Sequence, residues 1–198
     1  MIKNAISIHF NHHLNGVKNF TDDIHVADYT EMTKCQPVRR SVEFFSPIKP
    51  VDIETFFIKN PSALSVDGFE FNNQSFVCGN GNSRSQCEGV IFPTTTTVDS
   101  WILFCELKYS LKPAKNANNL RKAIKQLYKT RYYYFQKNII SLTNTAYLIG
   151  SIPPQSEPFS NFAISQADLT KLKRTRNIIL RLKNSVEIVN DKTINISI

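Results

Sequence analysis

The sequence predicts a mixed α/β fold in which helices pack on a central β-sheet. Short apolar segments separated by turn residues occupy residues 68–110, and a long amphipathic segment follows over residues 115–137. A run of strands followed by a helix and a further strand is typical of layered α/β folds. The length of 198 residues and the hydrophobic content of 41% suit a single domain, 1–198, with one main core.

The region before Gly68 carries only short, mixed signals. Residues 52–60 (DIETFFIKN) are predicted to form a short helix, because Asp52 is a suitable N-cap and Pro61 follows as a stop. Residues 1–51 are therefore treated as an N-terminal elaboration, and the sequence leaves their role open.

Three strands are predicted next. The segment FEFNNQSFVCG, which begins at Phe69, predicts a strand or a hairpin, and the polar loop GNGNSRSQ follows it. CEGVIF (87–92) predicts a short apolar strand, and PTTTTVDS a turn region. WILFCELKYS (101–110) predicts a third strand that is rich in large apolar residues.

The clearest helix is predicted over residues 115–137, where Leu120, Ile124 and Leu127 form an apolar stripe at helical spacing. The tyrosines at its end, Tyr132 to Tyr134, and Phe135 can either stack on bases or pack in the core, and packing is favoured. TAYLIGSIPP then predicts a buried strand that is ended by prolines.

A C-terminal appendage is predicted over residues 155–198. Ser165 and Asp168 resemble a capping box at the start of a helix that runs to Arg176. The last residues, VEIVNDKTINISI, alternate around Asn190-Asp191 as in a β-hairpin.

The net charge of +8 favours a polyanionic partner, nucleic acid first and an anionic membrane surface second. Basic residues concentrate in the second half of the chain. The candidate nucleic-acid contacts are Lys122, Lys125, Lys129, Lys171, Lys173, Arg174 and Arg176. A solvated basic face has the same composition, so charge alone does not separate the two interpretations.

Other function classes are disfavoured. The chain has no 18-residue apolar run, and its start, MIKNAISIHF, lacks a signal-peptide core, so we expect a cytoplasmic protein that does not enter a membrane. The four cysteines form no CxxC pair and are expected to be reduced and mostly buried. The segment HFNHH could hold a metal, but its spacing favours structural or surface histidines.

The residues that point to chemistry are Glu88, Glu106 and Lys108. Because side chains alternate along a strand, Glu106 and Lys108 share one face, and Leu107 points into the core. If the two strands form an antiparallel hairpin, Glu88 faces a position between 103 and 106. Directly opposed Cβ atoms lie about 4.5–5.5 Å apart, a separation that suits two carboxylates on one divalent ion.

That arrangement suits phosphodiester hydrolysis. Mg²⁺ or Mn²⁺ held by carboxylates promotes ionisation of water and neutralises phosphate charge, and Lys108 can orient the nucleophile. A plain surface Glu/Lys pair is the alternative, although charges on so apolar a strand are costly unless they are paired. Asp99 lies too far along the strand and is expected to be a turn residue.

An acid at the start of one strand, then E-x-K on the next, then a helix, resembles the PD-(D/E)XK nuclease superfamily. The resemblance covers residues 52–154 and implies a restriction-endonuclease-like αβββαβ core with a mixed central sheet flanked by helices. It implies that Glu88, Glu106 and the Leu107 carbonyl bind the metal. The first acid is Glu88, where the family more often has aspartate, and no proline precedes it.

The resemblance also implies two further site residues. Glu54 is the nearest match to a glutamate on the helix before the first strand, with Glu43 as a rival. Gln126 matches the glutamine of a Q-x-x-x-Y motif on the helix after the third strand, but Thr130 stands at the tyrosine position.

The sequence therefore predicts a metal-dependent nuclease that acts on DNA in preference to RNA. The resemblance places such proteins in restriction, repair or antiviral defence, as a homodimer or within a larger complex. The alternative is a catalytically weak protein that serves as a nucleic-acid-binding or assembly subunit. A third interpretation is an interaction module whose aromatic helix packs on a partner.

Overall fold

The computed structural model describes residues 1–196 and has a mixed α/β fold. The helices are α1 (Ile2–His9), α2 (Thr30–Thr33), α3 (Asn116–Gln136) and α4 (Gln166–Arg176), with 3-10 turns at Asn11–Gly16 and Pro113–Lys115. The strands are β1 (Lys18–Phe20), β2 (Ile24–Asp28), β3 (Val42–Phe45), β4 (Phe56–Lys59), β5 (Val66–Glu70), β6 (Gly89–Pro93), β7 (Ile102–Leu107), β8 (Ala146–Ser151), β9 (Ile178–Leu182), β10 (Ser185–Ile188) and β11 (Ile194–Asn195).

Sheet A contains six strands in the order β1-β5-β6-β7-β8-β9. Neighbours from β1 to β7 are antiparallel, whereas β7, β8 and β9 are parallel to one another. Parallel neighbours need crossover connections, which here contain α3 and α4. Leu127 and Tyr134 of α3 and Leu172 of α4 pack with Phe104 and Leu148 on one face of this sheet.

Sheet B contains five strands in the order β11-β10-β4-β2-β3 and covers the other face of sheet A. Val26 and Phe44 of sheet B pack in one core with Ile91, Leu103 and Ile149 of sheet A. Sheet A is therefore the middle layer between helices and a second sheet. This explains why all six residues of β7 are buried.

The predicted elements after residue 87 are confirmed. Strands β6, β7 and β8 and helix α3 lie where the apolar patterns placed them. Ser165 caps α4 by accepting a hydrogen bond from the Asp168 backbone N–H, and β10 and β11 form the predicted hairpin. The segment from Phe69 is a strand only as far as Glu70 and then becomes a loop.

The helix predicted over residues 52–60 is wrong. Phe56–Lys59 is β4, whose burial alternates with a period of two because Phe56 and Ile58 face the core. Its pairing with β2 and β10 outweighs the local capping signal of Asp52. Sheet A also extends beyond residues 52–154, because β1 and β9 form its two edges.

The histidine and cysteine predictions have separate outcomes. His13 is buried between the Tyr134 hydroxyl and the Ser75 carbonyl, and burial lowers its pKa to about 4, so it is a structural histidine. All four cysteines are unpaired in the structure, but of these Cys87 and Cys105 are buried and Cys35 is exposed. Within residues 1–196, no helix is both long enough and apolar enough to cross a bilayer.

Candidate functional site

The two predicted acids meet where β6 begins and β7 ends. Gly89 is the partner of Cys105 in the antiparallel ladder, and the Glu88 backbone N–H donates to the Cys105 carbonyl at 3.1 Å. Glu88 therefore lies opposite Cys105, which is within the predicted interval of positions 103–106. Leu107 points into the core between the two sheets, as expected.

Strand alternation does not extend regularly to Glu88. Glu88 and Gly89 both oppose Cys105, which is the arrangement of a β-bulge. Cys87 and Val90, three positions apart, consequently both face the helix side of sheet A. Such bulges re-aim side chains, and here both carboxylates line one cleft.

Glu106 is the most enclosed of the acids, with no solvent exposure. Its Oε1 forms an ion pair with the Lys108 ammonium. Its Oε2 is buried and has no partner at hydrogen-bonding distance among residues 1–196, although the nearby Gln126 side-chain amide acts to lower the pKa of Glu106. A buried carboxylate oxygen without a partner is costly, so this atom is a position for a cation or for a proton.

The pKa values in the cleft reflect concentrated negative charge. Burial raises the pKa of Glu106 to about 7, with Lys108 opposing the rise and Asp28 adding to it. Burial, Glu106 and Asp28 hold the pKa of Glu88 well above its usual range. Burial acts to lower the pKa of Lys108, but the charges of Glu106 and Glu88 outweigh it and the pKa is raised.

Asp28 is a site residue that the sequence reasoning missed. It ends β2 in sheet B and lines the same cleft as Glu88 and Glu106. Its backbone N–H lies 3.4 Å from the Tyr109 hydroxyl, which links β2 to the end of β7. The signal that selected the other acids, a carboxylate at the end of an apolar strand, is present in IHVAD as well.

The cleft has a volume of about 660 Å³ and opens between the two outer layers, at the end of sheet A where β6 begins and β7 ends. One wall is formed by α3, where Asn119, Lys122 and Gln126 share a helical face. The other wall is formed by the segment 28–42 of sheet B. The carboxylates therefore lie at the bottom of a groove whose walls come from distant parts of the chain.

Of the further site residues that the resemblance implies, Gln126 lines the cleft, whereas Glu54 and its rival Glu43 do not. Gln126 lines the cleft, and its side-chain amide donates to the Gln86 carbonyl at 2.8 Å. Glu54 is exposed, pairs with Lys49 at 2.6 Å and does not line the cleft. Glu43 is paired with Arg40 at 2.7 Å and is also outside it.

The predicted basic contacts are dispersed. Lys122 lines the cleft, whereas Lys125, Lys129 and the four α4 cations, Lys171, Lys173, Arg174 and Arg176, do not. Helix α4 ends next to the start of β9, the start of β9 pairs with the start of β8, and the start of β8 pairs in turn with the start of β7. Glu106 lies four residues further along β7, about 13 Å at 3.3 Å per residue. The basic end of α4 therefore lies at the opposite end of the strands from Glu106, where β7, β8 and β9 begin.

The aromatic run on α3 serves mainly in packing, as favoured. Tyr134 is fully buried and its ring lies 5.5 Å from that of Phe104. Tyr133 packs against Phe76 at 4.9 Å, and of the run Tyr132 is exposed. Asp99 is an exposed turn residue, as predicted, and it forms an ion pair with Lys192.

A ready-made metal cluster is not apparent, since residues 1–196 contain no group of three or more His, Cys, Asp or Glu side chains placed to hold an ion. No protein-family model matches the sequence, and neither the curated proteins nor the solved structures compared with the chain give a match. Any functional assignment therefore depends on the geometry of the cleft.

Proposed function

We propose that the protein is a divalent-metal-dependent nuclease that hydrolyses phosphodiester bonds, with DNA favoured over RNA. One observation carries the proposal: the partnerless, buried Oε2 of Glu106 lies in a cleft beside Glu88 and Lys108. Structural ion pairs normally satisfy every oxygen of a buried carboxylate. The unsatisfied oxygen is what an acid evolved to hold a cation would show.

The donor set fits Mg²⁺ or Mn²⁺, because both ions prefer oxygen ligands and keep several waters. Glu88 and Glu106 would hold the ion, and the carbonyl of Leu107, the residue after Glu106, would add a third ligand. Two protein carboxylates are sufficient for Mg²⁺, which rarely uses a complete protein cage. Bound there, the ion would promote ionisation of the attacking water and neutralise phosphate charge.

The chain's own residues supply orientation and charge. Lys108 is held by Glu106, keeps its proton because two carboxylates surround it, and would orient the nucleophilic water or offset charge in the transition state. Gln126 would fix the Gln86 loop at the cleft wall. Asp28 adds negative charge that strengthens cation binding at Glu106.

The order of elements supports the finer assignment to a restriction-endonuclease-like core. Strands β5, β6 and β7 are followed by α3 and β8, with β8 parallel to β7, as a βββαβ unit requires. The leading helix of an αβββαβ core would be α1, which is distant in sequence but packs in the α3 layer. Restriction, repair and antiviral defence are proposed from the resemblance alone.

The test is a cleavage assay on supercoiled, linear and single-stranded DNA and on RNA, with Mg²⁺, Mn²⁺ or EDTA. Glu106→Gln and Lys108→Ala should each abolish metal-dependent cutting. Glu54→Gln is the matched control, because Glu54 is an exposed acid outside the cleft, and it should cut like the wild type. Cutting that survives Glu106→Gln, or that needs no metal, would overturn the proposal.

A second candidate function is favoured by one contact. The Lys108 ammonium already neutralises Glu106 Oε1, as it would in a nuclease fold retained as a nucleic-acid-binding subunit. Such a protein would bind DNA in a salt-sensitive way but would show no rise in melting temperature with Mg²⁺.

A further inference from the structure

We infer that the segment joining β2 to β3 and helix α3 together hold the substrate: a nucleic-acid backbone lies across the acidic floor, bound between Arg39 on the sheet B wall and Lys122 on α3. This inference rests on the proposed function, because it takes the polyanion in the cleft to be the nuclease substrate. It also gives a role to residues 28–42, part of the segment 1–51 whose role the sequence left open.

The two walls present cations from opposite sides of sheet A. Segment 29–41 joins β2 to β3 in sheet B, and its Lys34, Arg39 and Arg40 line the cleft. Helix α3 lies on the other face of sheet A and contributes Lys122 to the same cleft. A groove with carboxylates at its floor and cations on both rims matches a phosphodiester chain approaching a metal-binding floor.

The cations differ in what already holds them. Arg40 is committed, because it pairs with Glu43 at 2.7 Å and its guanidinium lies 3.3 Å from the centre of the Tyr29 ring. It therefore anchors the wall. Lys34 forms an exposed pair with Glu31, which contributes little and can be exchanged for a phosphate.

Arg39 and Lys122 are the available pair. Both are exposed, both line the cleft, and neither forms an ion pair within residues 1–196. Unpaired cations beside a concentration of carboxylates are suited to phosphates rather than to holding the fold together. Without them the acids would repel the phosphate backbone before a metal could bridge the two.

The test measures binding separately from cleavage. Arg39→Ala/Lys122→Ala would be compared with the wild type for fluorescent single-stranded and duplex DNA and RNA, in EDTA and over a range of salt concentrations. Lys171→Ala/Arg174→Ala is the matched control, since it removes the same charge from exposed positions at the far end of the strands. The rim variant should bind at least about tenfold more weakly, and its salt slope should fall by about 1 for each cation removed.

The possible outcomes distinguish binding by Arg39 and Lys122, called here the clamp, from cleavage. The clamp is supported if the rim variant loses affinity and slope while the α4 variant keeps both. It is overturned if the α4 variant loses as much, if the rim variant binds like the wild type, or if the wild type binds no nucleic acid. A wild type that binds nucleic acid through Arg39 and Lys122 yet cuts nothing would refute the proposed nuclease activity but would support the proposed binding by these two cations.

Discussion

The Oε2 atom of Glu88 accepts a hydrogen bond of 2.8 Å from the backbone N–H of Leu107. The Glu88 carbonyl is turned away and accepts from Phe71 instead. At the bulge, a side chain therefore replaces the backbone carbonyl as the acceptor for β7. The bond holds the Glu88 carboxylate beside Glu106, and it leaves Glu88 Oε1 without a hydrogen-bond partner among the described residues. Each acid thus has one oxygen held by the protein and one available.

Replacing Glu106 by glutamine should stabilise the protein at alkaline pH in EDTA. The folded-state pKa of Glu106, about 7, is raised above the ordinary 4.5. The stability linked to this group is therefore fully present below pH 4.5 and is lost as pH rises through 7. At pH 8, Glu106→Gln should unfold with a free energy higher by up to about 3 kcal/mol. Urea denaturation at pH 4.5 and pH 8 measures this, and an equal difference at both pH values would contradict it.

Mg²⁺ or Mn²⁺ should raise the melting temperature of the wild type, and the rise should grow between pH 6 and pH 8. The reason is that the ion competes with a proton whose affinity corresponds to a pKa of about 7 at Glu106. Thermal unfolding with and without 10-fold chelator excess measures the shift. Glu106→Gln should abolish it, whereas Glu54→Gln should retain it; a shift independent of pH would place the ion elsewhere.

Asp28→Asn should move the pH dependence of cleavage to lower pH. Burial and then Lys108 dominate the pKa of Glu106, and Asp28 adds a raising contribution that the amide removes. Cleavage rates between pH 5.5 and 8.5 give the apparent pKa of the rising limb. A residue with only a structural role would lower the rate at every pH without displacing that limb. Asp22→Asn, an exposed acid outside the cleft, is the control.

Gly89→Ala should destabilise the fold and disturb the site together. A Cβ at Gly89 would lie 2.8 Å from Phe44 Cζ, so the buried Phe44 ring, or sheet B with it, would have to move away from β6. Overpacking of this kind typically costs about 1–3 kcal/mol. Gly79→Ala is a suitable control, because nothing lies within 4 Å of its added Cβ. Chemical denaturation that finds the two variants equally stable would show that the contact relaxes freely.

Most elements after residue 87 were predictable because their signals are local, but the edge strand β9 was missed. The apolar runs of β6 and β7 and the helical stripe of α3 are each visible within one window of sequence. Sheet B was not, because β4 pairs with β2 and with β10, a strand about 130 positions later. Nothing near Phe56 indicates such partners, and a capping residue suggested a helix instead.

The site was predictable to the same extent. Glu106 lies on β7, Glu88 directly precedes β6 and Lys108 directly follows β7, and these two strands are neighbours in both the sequence and the sheet, so register and alternation placed the three residues in one region. The bulge that re-aims Glu88 has no sequence signal. Asp28 and Arg39 could not be assigned, since they reach the cleft only through the packing of sheet B on sheet A. The α4 cations were predicted as nucleic-acid contacts but lie away from the cleft, because a cluster of charges in the sequence does not show at which end of the strands it will lie.

The pairing of β10 with β4 also sets an order of assembly. During synthesis from the N-terminus, Glu88, Glu106 and Lys108 are made well before β10, which lies at residues 185–188. Until β10 docks, β4 has an unpaired edge and the wall that carries Asp28 lacks support. Closing such a long loop is entropically slow. A nascent chain therefore carries the acids before it has a finished groove, and the groove should be completed only when β10 has docked on β4.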